Sequence, residues 1–249
     1  MNDEPKSSVS SQRSLVDSDS IARNVRHVLE RIRQAAIRAG RQPDAVHLVA
    51  VTKSVPVERI SLAVDTGARI FGENRLQEAL PKIAALGGGR GLQWHFIGRL
   101  QRRKVKAVVG TFEMIHSVDS VDLAAEIDRR AADAGIRQKV LLEVNAGGEA
   151  TKTGFLPDEA ANAVTALAAM PNLSVRGLMV IPPPGPDAEA SRPYFRAMRE
   201  LARSLASPRL TRVRMEELSM GMSRDFEVAV EEGATLVRIG TAIFGERHG

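Results

Sequence analysis

Short apolar runs alternate with segments of helical periodicity along most of the chain. Eight of these runs are largely apolar rather than strictly alternating, which is typical of parallel strands buried on both faces. We predict strands at His47–Lys53, Ala68–Phe71, Trp94–Ile97, Met114–Val118, Val140–Val144, Val175–Val180, Glu217–Met220 and Leu236–Ile239. We predict helices between them at Val57–Val64, Gln77–Ala85, Arg99–Val109, Val121–Ala134, Pro157–Ala169, Glu189–Leu205 and Arg224–Glu232.

This order of elements predicts an α/β fold, namely a single (β/α)8 TIM barrel with an extra N-terminal helix. The extra helix is predicted to begin after Ser20, which can cap it, and to stop at Gly40. The competing fold is an open, doubly wound sheet. That fold would use fewer strands, and no Gly-x-Gly-x-x-Gly sequence follows a predicted strand here.

The start of the chain has a different composition. Its first 20 residues contain seven serines and almost no large apolar side chains, so we predict a disordered tail at 1–19 and the barrel domain at 20–249. No apolar run approaches the roughly 20 residues that span a bilayer, and no export signal is recognisable. We therefore expect no membrane partner and a cytoplasmic location.

Composition narrows the chemistry. The 249 residues include no cysteine, which excludes disulfides, thiolate metal sites and cysteine nucleophiles. Aromatic residues make up 4%, too few for a base-stacking surface. The net charge of +5 is compatible with a polyanionic partner, but we favour an arginine-rich solvated surface. The basic stretch at 99–106 is read the same way, so no nucleic acid partner is expected.

Lys53 is the strongest candidate for a reactive side chain. In a (β/α)8 barrel the active groups gather at the C-terminal ends of the strands, and Lys53 ends the first predicted strand. Apolar surroundings lower the pKa of an amine and leave more of it able to attack a carbonyl group. The alternative is an exposed lysine whose amine simply reaches into water.

The loops after the last two strands have the character of a phosphate site. Barrels of this kind often bind phosphate there, and both loops supply small residues and hydroxyls, including Ser223, Gly240 and Thr241. Alternatively, Ser223 and Asp225 cap the next helix and Gly240 is an ordinary turn; both readings can hold together.

Arg238 precedes Gly240 by two residues and is therefore expected on the same face of its strand. An arginine beside a heteroaromatic nitrogen keeps that nitrogen unprotonated, because arginine only donates hydrogen bonds. The alternative role is a salt bridge inside the barrel rim, with Glu143 or Glu217 as the partner.

Several motifs carry a family resemblance. They are Val51-Thr-Lys53, Phe71-Gly-Glu-Asn74, Trp94-His-Phe-Ile-Gly98, His116-Ser-Val-Asp119, Gly177-Leu-Met179, Leu218-Ser-Met-Gly-Met-Ser223 and Val237-Arg-Ile-Gly-Thr-Ala-Ile-Phe-Gly245. In this order the chain resembles the YggS/PROSC family of pyridoxal 5′-phosphate (PLP) homeostasis proteins, whose fold is related to the barrel domain of alanine racemase. The match runs from about Ile21 to Arg247.

The resemblance implies a PLP-binding protein in which Lys53 forms a Schiff base with the cofactor. It implies that Ser223, Gly240 and Thr241 hold the phosphate and that Arg238 faces the pyridine nitrogen. The remaining cofactor-binding positions that it implies are Asn74, His95 and Met179 around the ring, with Ser219 also at the site. A monomer is expected, with apo-enzymes that use PLP as possible transient partners.

Two positions depart from the family pattern. Arg103 stands where an asparagine is usual, and Gly147 stands where a serine is usual. The first puts the role of that asparagine in doubt, and the second removes a hydroxyl near the barrel mouth. Neither change affects the residues implied to hold the cofactor.

Three functions remain to be weighed: a carrier of PLP, a PLP-dependent racemase and a Schiff-base aldolase. Racemases need proton donors on both faces of the substrate. In alanine racemases the second base is a tyrosine, and a further domain completes the active site. Tyr194 is the only tyrosine here, and we expect the predicted barrel to leave no residues for a second domain. Schiff-base aldolases usually place their lysine on a later strand. We therefore expect a carrier without robust catalysis, with the racemase as the alternative.

Overall fold

The computed structural model describes residues 7–86, 91–149, 151–207 and 210–246, with side chains described from Asp19 onward. The strands are β1 (His47–Val51), β2 (Ile70–Glu73), β3 (Gln93–Phe96), β4 (Met114–Val118), β5 (Gln138–Val144), β6 (Leu173–Val180), β7 (Val213–Ser219) and β8 (Leu236–Ile239). The helices are α1 (Ser7–Arg38), α2 (Val57–Asp65), α3 (Leu76–Leu86), α4 (Val105–Val108), α5 (Val121–Asp133), α6 (Ala160–Ala168), α7 (Arg192–Leu205), α8 (Phe226–Glu231) and α9 (Thr241–Phe244).

The eight strands form a closed parallel barrel in sequence order. Closure comes from the pairing of the first and last strands, in which Val49 is the register partner of Arg238. This confirms the predicted (β/α)8 barrel with a helix before its first strand. Apolar side chains fill the space between strands and helices, and a smaller cluster fills the barrel interior: Val49, Met114, Leu141, Met179 and Leu236.

Helix α1 begins at Ser7, well before the predicted cap at Ser20. No glycine or proline lies between Ser7 and Arg38, so nothing in this stretch forces a break. The beginning of the predicted disordered tail, residues 1–6, lies outside the described residues. Further along, α1 packs on the end of the chain, where Asn24 Nδ2 donates to the carbonyl oxygen of Ile243 at 3.0 Å.

The helix predicted at Arg99–Val109 is wrong over its first part. The chain leaves β3 in an extended conformation, with Gln101 at φ −80° and ψ 137°, and forms one 3-10 turn before the short α4. This path buries Leu100, which is 4% exposed. Helical spacing in the sequence cannot distinguish such a segment, because a 3-10 turn followed by one α-turn has nearly the same periodicity.

Strand β6 contains a bulge at Gly177. The register with β5 shifts between Val140 and Leu141, and the register with β7 shifts between Val175 and Gly177. Gly177 has φ 156°, and a Cβ atom there would lie 1.8 Å from the carbonyl oxygen of Glu217. Only glycine permits this contact between β6 and β7.

Among the described residues, no helix combines the length and the apolar character needed to cross a membrane.

Candidate functional site

A cavity of about 790 Å³ lies at the C-terminal ends of the strands. The predicted site residues that line it are Asn74, Ser223, Arg238, Gly240 and Thr241. The loop after β6, with prolines at 182, 183, 184 and 186, supplies an apolar side of the cavity. Five of the nine predicted cofactor-binding residues therefore meet in one space, although they come from three separate parts of the sequence.

Lys53 is half-buried in the turn that follows β1. Val51, two positions earlier, lines the cavity, while Lys53 is not among the lining residues. The predicted strand through Lys53 ends at Val51, because the chain turns at Lys53 and Ser54 follows with φ 60°. This left-handed conformation is uncommon for a residue with a side chain.

His95, Met179 and Ser219 also lie away from the lining of the cavity. Met179 is 2% exposed and packs in the interior cluster of the barrel. His95 and Ser219 belong instead to a polar chain inside the barrel, which continues to Arg238 at the cavity.

The polar chain joins four buried side chains end to end. His95 Nδ1 lies 2.9 Å from His116 Nε2, and His116 Nδ1 lies 2.9 Å from Ser219 Oγ. Arg238 Nη1 donates to Ser219 Oγ at 2.6 Å and Nη2 donates to the carbonyl oxygen of Val180 at 2.8 Å. We call His95, His116, Ser219 and Arg238 the buried relay.

The hydrogens of the buried relay can be assigned by counting donors. Arg238 can only donate, so the Ser219 hydroxyl accepts from it and is left to donate to His116 Nδ1. His116 then donates from Nε2 to His95 Nδ1, and His95 carries its hydrogen on Nε2. Within the described part of the chain, His95 Nε2 has no hydrogen-bond partner. If His95 instead donated to His116 and His116 donated to Ser219, the hydrogen of the Ser219 hydroxyl would also have no acceptor in the relay.

Burial controls the charges in the relay. Desolvation lowers the pKa of His95 to about 4, and it lowers the pKa of His116 well below its ordinary range, helped by the charge of Arg238. Both imidazoles are therefore neutral at pH 7. Burial also lowers the pKa of Arg238, to about 10, so its guanidinium keeps its charge at neutral pH.

Neither a salt bridge of Arg238 nor a side-chain cap by Asp225 finds support among the described side chains. Arg238 has neutral oxygens as partners rather than the carboxylate of Glu143 or Glu217. The Asp225 side chain accepts from the Met222 backbone N–H at 2.7 Å and holds the loop itself, without capping α8.

The loops after β7 and β8 are joined by a hydrogen bond, and the end of β8 lies close to β1. Ser223 Oγ accepts from the backbone N–H of Ala242 at 3.3 Å and so joins the two loops. A Cβ atom at Gly240 would lie 3.3 Å from Val51, which shows how closely the end of β8 approaches β1. Ser223, Gly240 and Thr241 therefore lie near one another in the lining of the cavity.

Sequence reasoning missed two residues at this site. His116 lies in a strand that was predicted correctly, two residues beyond Met114, which is the register partner of His95, so side-chain alternation places both histidines on the inner face of the barrel. Lys152 lines the cavity from a long loop and forms an ion pair with Glu149 at 2.6 Å. No periodic signal in the sequence places a loop lysine, so only the three-dimensional structure shows it.

The chain is similar to known proteins over most of its length. The family described as alanine racemase, N-terminal domain, matches residues 16–248. A pyridoxal phosphate homeostasis protein of Aquifex aeolicus (strain VF5) is 50% identical over 220 residues, which are 88% of this chain and 95% of that protein. The solved structure of PipY from Synechococcus elongatus PCC7942 with PLP bound is 39% identical, with a TM-score of 0.75, and covers 88% of this chain and 100% of that chain. This chain belongs to the family of pyridoxal phosphate homeostasis proteins.

Proposed function

We propose that the protein binds PLP in the cavity, holds it as a Schiff base on Lys53 and thereby stores or carries it within the cell. The observation that carries the proposal is the meeting of Asn74, Ser223, Arg238 and the Gly240–Thr241 turn around one cavity. The proposed binding domain is 20–249. The solved structure of the relative PipY has PLP bound, which supports PLP as the ligand.

The residues around the cavity fit the two ends of the cofactor. Small residues and hydroxyls at Ser223, Gly240 and Thr241 suit a phosphate, because they offer donors without bulk. Arg238 remains charged despite its burial and suits the ring nitrogen. Asn74 Oδ1 is buried and has no partner among the described groups, which leaves it available to a bound ligand.

Lys53 supplies the reversible covalent bond. The lone pair of its unprotonated amine adds to the aldehyde carbon of the cofactor, the carbonyl oxygen leaves as water, and a C=N bond replaces the C=O bond. Hydrolysis restores the free aldehyde and the amine. A bond that forms and breaks in this way allows the protein to keep a reactive aldehyde away from other amines and to return it unchanged.

The site supports a carrier better than a racemase. When bound, PLP supplies an electron sink for carbanions, and a positive donor that keeps its ring nitrogen unprotonated weakens that sink. Racemisation also needs a second proton donor opposite the lysine. Tyr194 is the only tyrosine of the chain, lies on the outer helix α7 and is not among the residues that line the cavity.

The test is to trap the bond chemically. The purified protein is loaded with PLP, reduced with borohydride and digested, and the peptide that carries the cofactor is identified. We expect the label on Lys53 and its loss in Lys53→Ala. Lys152→Ala is the matched control, because Lys152 is a second amine at the same cavity. A label on Lys152, or no label at all, would overturn the proposal.

A separate assay distinguishes the carrier from the enzyme. The loaded protein is incubated with L-alanine, and D-alanine is measured over time. The carrier is expected to give no turnover above the PLP-only control. Turnover at about 1 per second or faster, the lower end of ordinary enzyme rates, would make it a racemase.

A further inference from the structure

Helix α3 holds the backbone on both sides of Lys53. Lys82 Nζ donates to the carbonyl oxygen of Thr52 at 2.7 Å, and Glu78 Oε2 accepts from the backbone N–H of Ser54 at 2.9 Å. Glu78 and Lys82 are four positions apart, so both project from the same face of α3. The two peptide groups that flank the Lys53 Cα atom are therefore both tied to one helix.

The contact with Ser54 restrains an unusual conformation. Ser54 has φ 60°, which residues with a side chain adopt rarely and hold only when their surroundings enforce it. The hydrogen bond from its N–H goes to a carboxylate and is therefore a strong one. The carboxylate is kept charged, because this hydrogen bond is the main factor that lowers the pKa of Glu78.

The contact with Thr52 belongs to a buried cluster. Lys82 is 7% exposed and donates to Glu73 Oε1 at 2.7 Å, and the Thr52 hydroxyl donates to the same oxygen at 2.6 Å. Glu73 is fully buried and directly precedes Asn74 at the cavity. A buried ion pair contributes little net stability compared with apolar residues of similar size. What this pair does provide is a fixed geometry at the ends of β1 and β2.

We propose that Glu78 and Lys82 are positioning residues that direct the Lys53 side chain toward the cavity. With both flanking peptide groups fixed, the direction of the Lys53 Cα–Cβ bond is fixed, and only side-chain rotations remain. The side chain then starts from one fixed point and direction, which reduces the positions that the amine has to search and increases the rate of bond formation without adding a contact to the cofactor. This inference rests on the proposed function, since it concerns the bond at Lys53.

The experiment separates bond formation from binding. For the full chain we measure the rate at which the visible Schiff-base absorption appears when PLP is added, and the affinity for pyridoxine 5′-phosphate, which lacks the aldehyde. Glu78→Ala is expected to lower the rate about tenfold and leave that affinity within about twofold, because a misplaced reacting group affects only the chemical step. Glu78→Gln keeps an oxygen that accepts from Ser54 and is expected to restore most of the rate.

Gln77→Ala is the matched control, since Gln77 is exposed on the same turn of α3. Removing Lys82 alone would leave the Glu73 carboxylate buried without a cation and could unfold the protein, so Lys82→Met is combined with Glu73→Gln. The double variant is expected to match Glu78→Ala in rate.

Three outcomes would overturn the inference: an unchanged rate in Glu78→Ala, an equal loss of rate and of pyridoxine 5′-phosphate affinity, or no rescue by Glu78→Gln. Failure of the proposed function looks different, because the wild-type protein itself would then show no Schiff-base absorption and no borohydride label on Lys53.

Discussion

Acidification is expected to destabilise the protein through the two histidines of the buried relay. His95 and His116 are neutral in the folded barrel because burial disfavours their charged forms. In the unfolded chain both take up protons as the pH falls through about 6.5. The unfolded state then binds more protons than the folded state, so the free energy of unfolding decreases as the pH falls from about 6.5 toward the pKa of the folded protein.

The size of the effect follows from His95 alone. Its pKa is lowered from 6.5 to about 4. Proton linkage then gives a loss of about 2 kcal/mol in the free energy of unfolding between pH 7 and pH 5. For a chain of this length that corresponds to about 4–8 °C in Tm. His116 acts in the same direction. Glu143 acts in the opposite direction, because burial raises the pKa of its carboxyl group.

The assay is urea unfolding at pH 7 and at pH 5, and the quantity compared is the change in unfolding free energy between the two. His95→Asn removes the titrating ring and keeps a polar atom near His116, so we expect its change to be smaller than that of the wild type by about 2 kcal/mol. His27→Asn is the control, since His27 is exposed on α1. Because Glu143 is present in every variant, its contribution cancels in the comparison.

An equal pH dependence in the wild type and in His95→Asn would refute the reasoning. The reasoning would also be refuted if the wild type were more stable at pH 5 than at pH 7 and all variants showed the same change in unfolding free energy between the two pH values. Either result would mean that His95 takes up a proton in the folded barrel about as readily as in the unfolded chain. The barrel interior would then be more accessible to water than the burial of His95 implies.

Three further predictions concern single positions. Thr241→Val is expected to weaken the affinity for PLP about tenfold, which is the effect of losing one hydrogen bond to a charged group. Tm is expected to stay unchanged, because Thr241 is exposed. An unchanged affinity would show that Thr241 does not belong to the phosphate site. Gly177→Ala is expected to lower the unfolding free energy by about 3 kcal/mol, since its Cβ would lie 1.8 Å from the Glu217 carbonyl oxygen, and denaturant unfolding checks this. Gly98→Ala places a Cβ atom 2.5 Å from the Asn74 carbonyl oxygen. It is expected to lower the unfolding free energy by about 2 kcal/mol and to weaken PLP binding. If the variant binds PLP as tightly as the wild type does, Asn74 does not contact the cofactor.

The fold was largely predictable because the strands are apolar runs buried on both faces. Strands β4 and β8 were predicted at their observed bounds, Met114–Val118 and Leu236–Ile239. Strand β7 was predicted too short, because it begins at Val213 with exposed side chains such as Arg214 and Glu216 among its residues. A strand that is solvated over part of its length does not produce a continuous apolar signal.

The part of the cavity lining that was predictable consists of residues within strands or in the loops that follow them. Arg238 and Gly240 are placed by the strict alternation of side chains along β8 and beyond it. The partners of Lys53 were not predictable, because Glu78 and Lys82 project from a helix whose rotation against the barrel depends on packing. Charged residues in a helix are expected on its solvated face. Lys82 is instead buried.

The pairing of β1 with β8 has a consequence for folding. Lys53 follows the first strand and Arg238 lies in the last, so a ligand that contacts both requires the first and last strands of the barrel to be joined. A barrel open at this seam offers such a ligand only one of the two contacts and binds it more weakly, so the ligand stabilises the closed form, and the stabilisation rises with the logarithm of its concentration over its Kd. If the cofactor is held by both residues, as proposed, its occupancy is also a measure of barrel closure, because a chain that has not completed its last strand pairing cannot hold it by both.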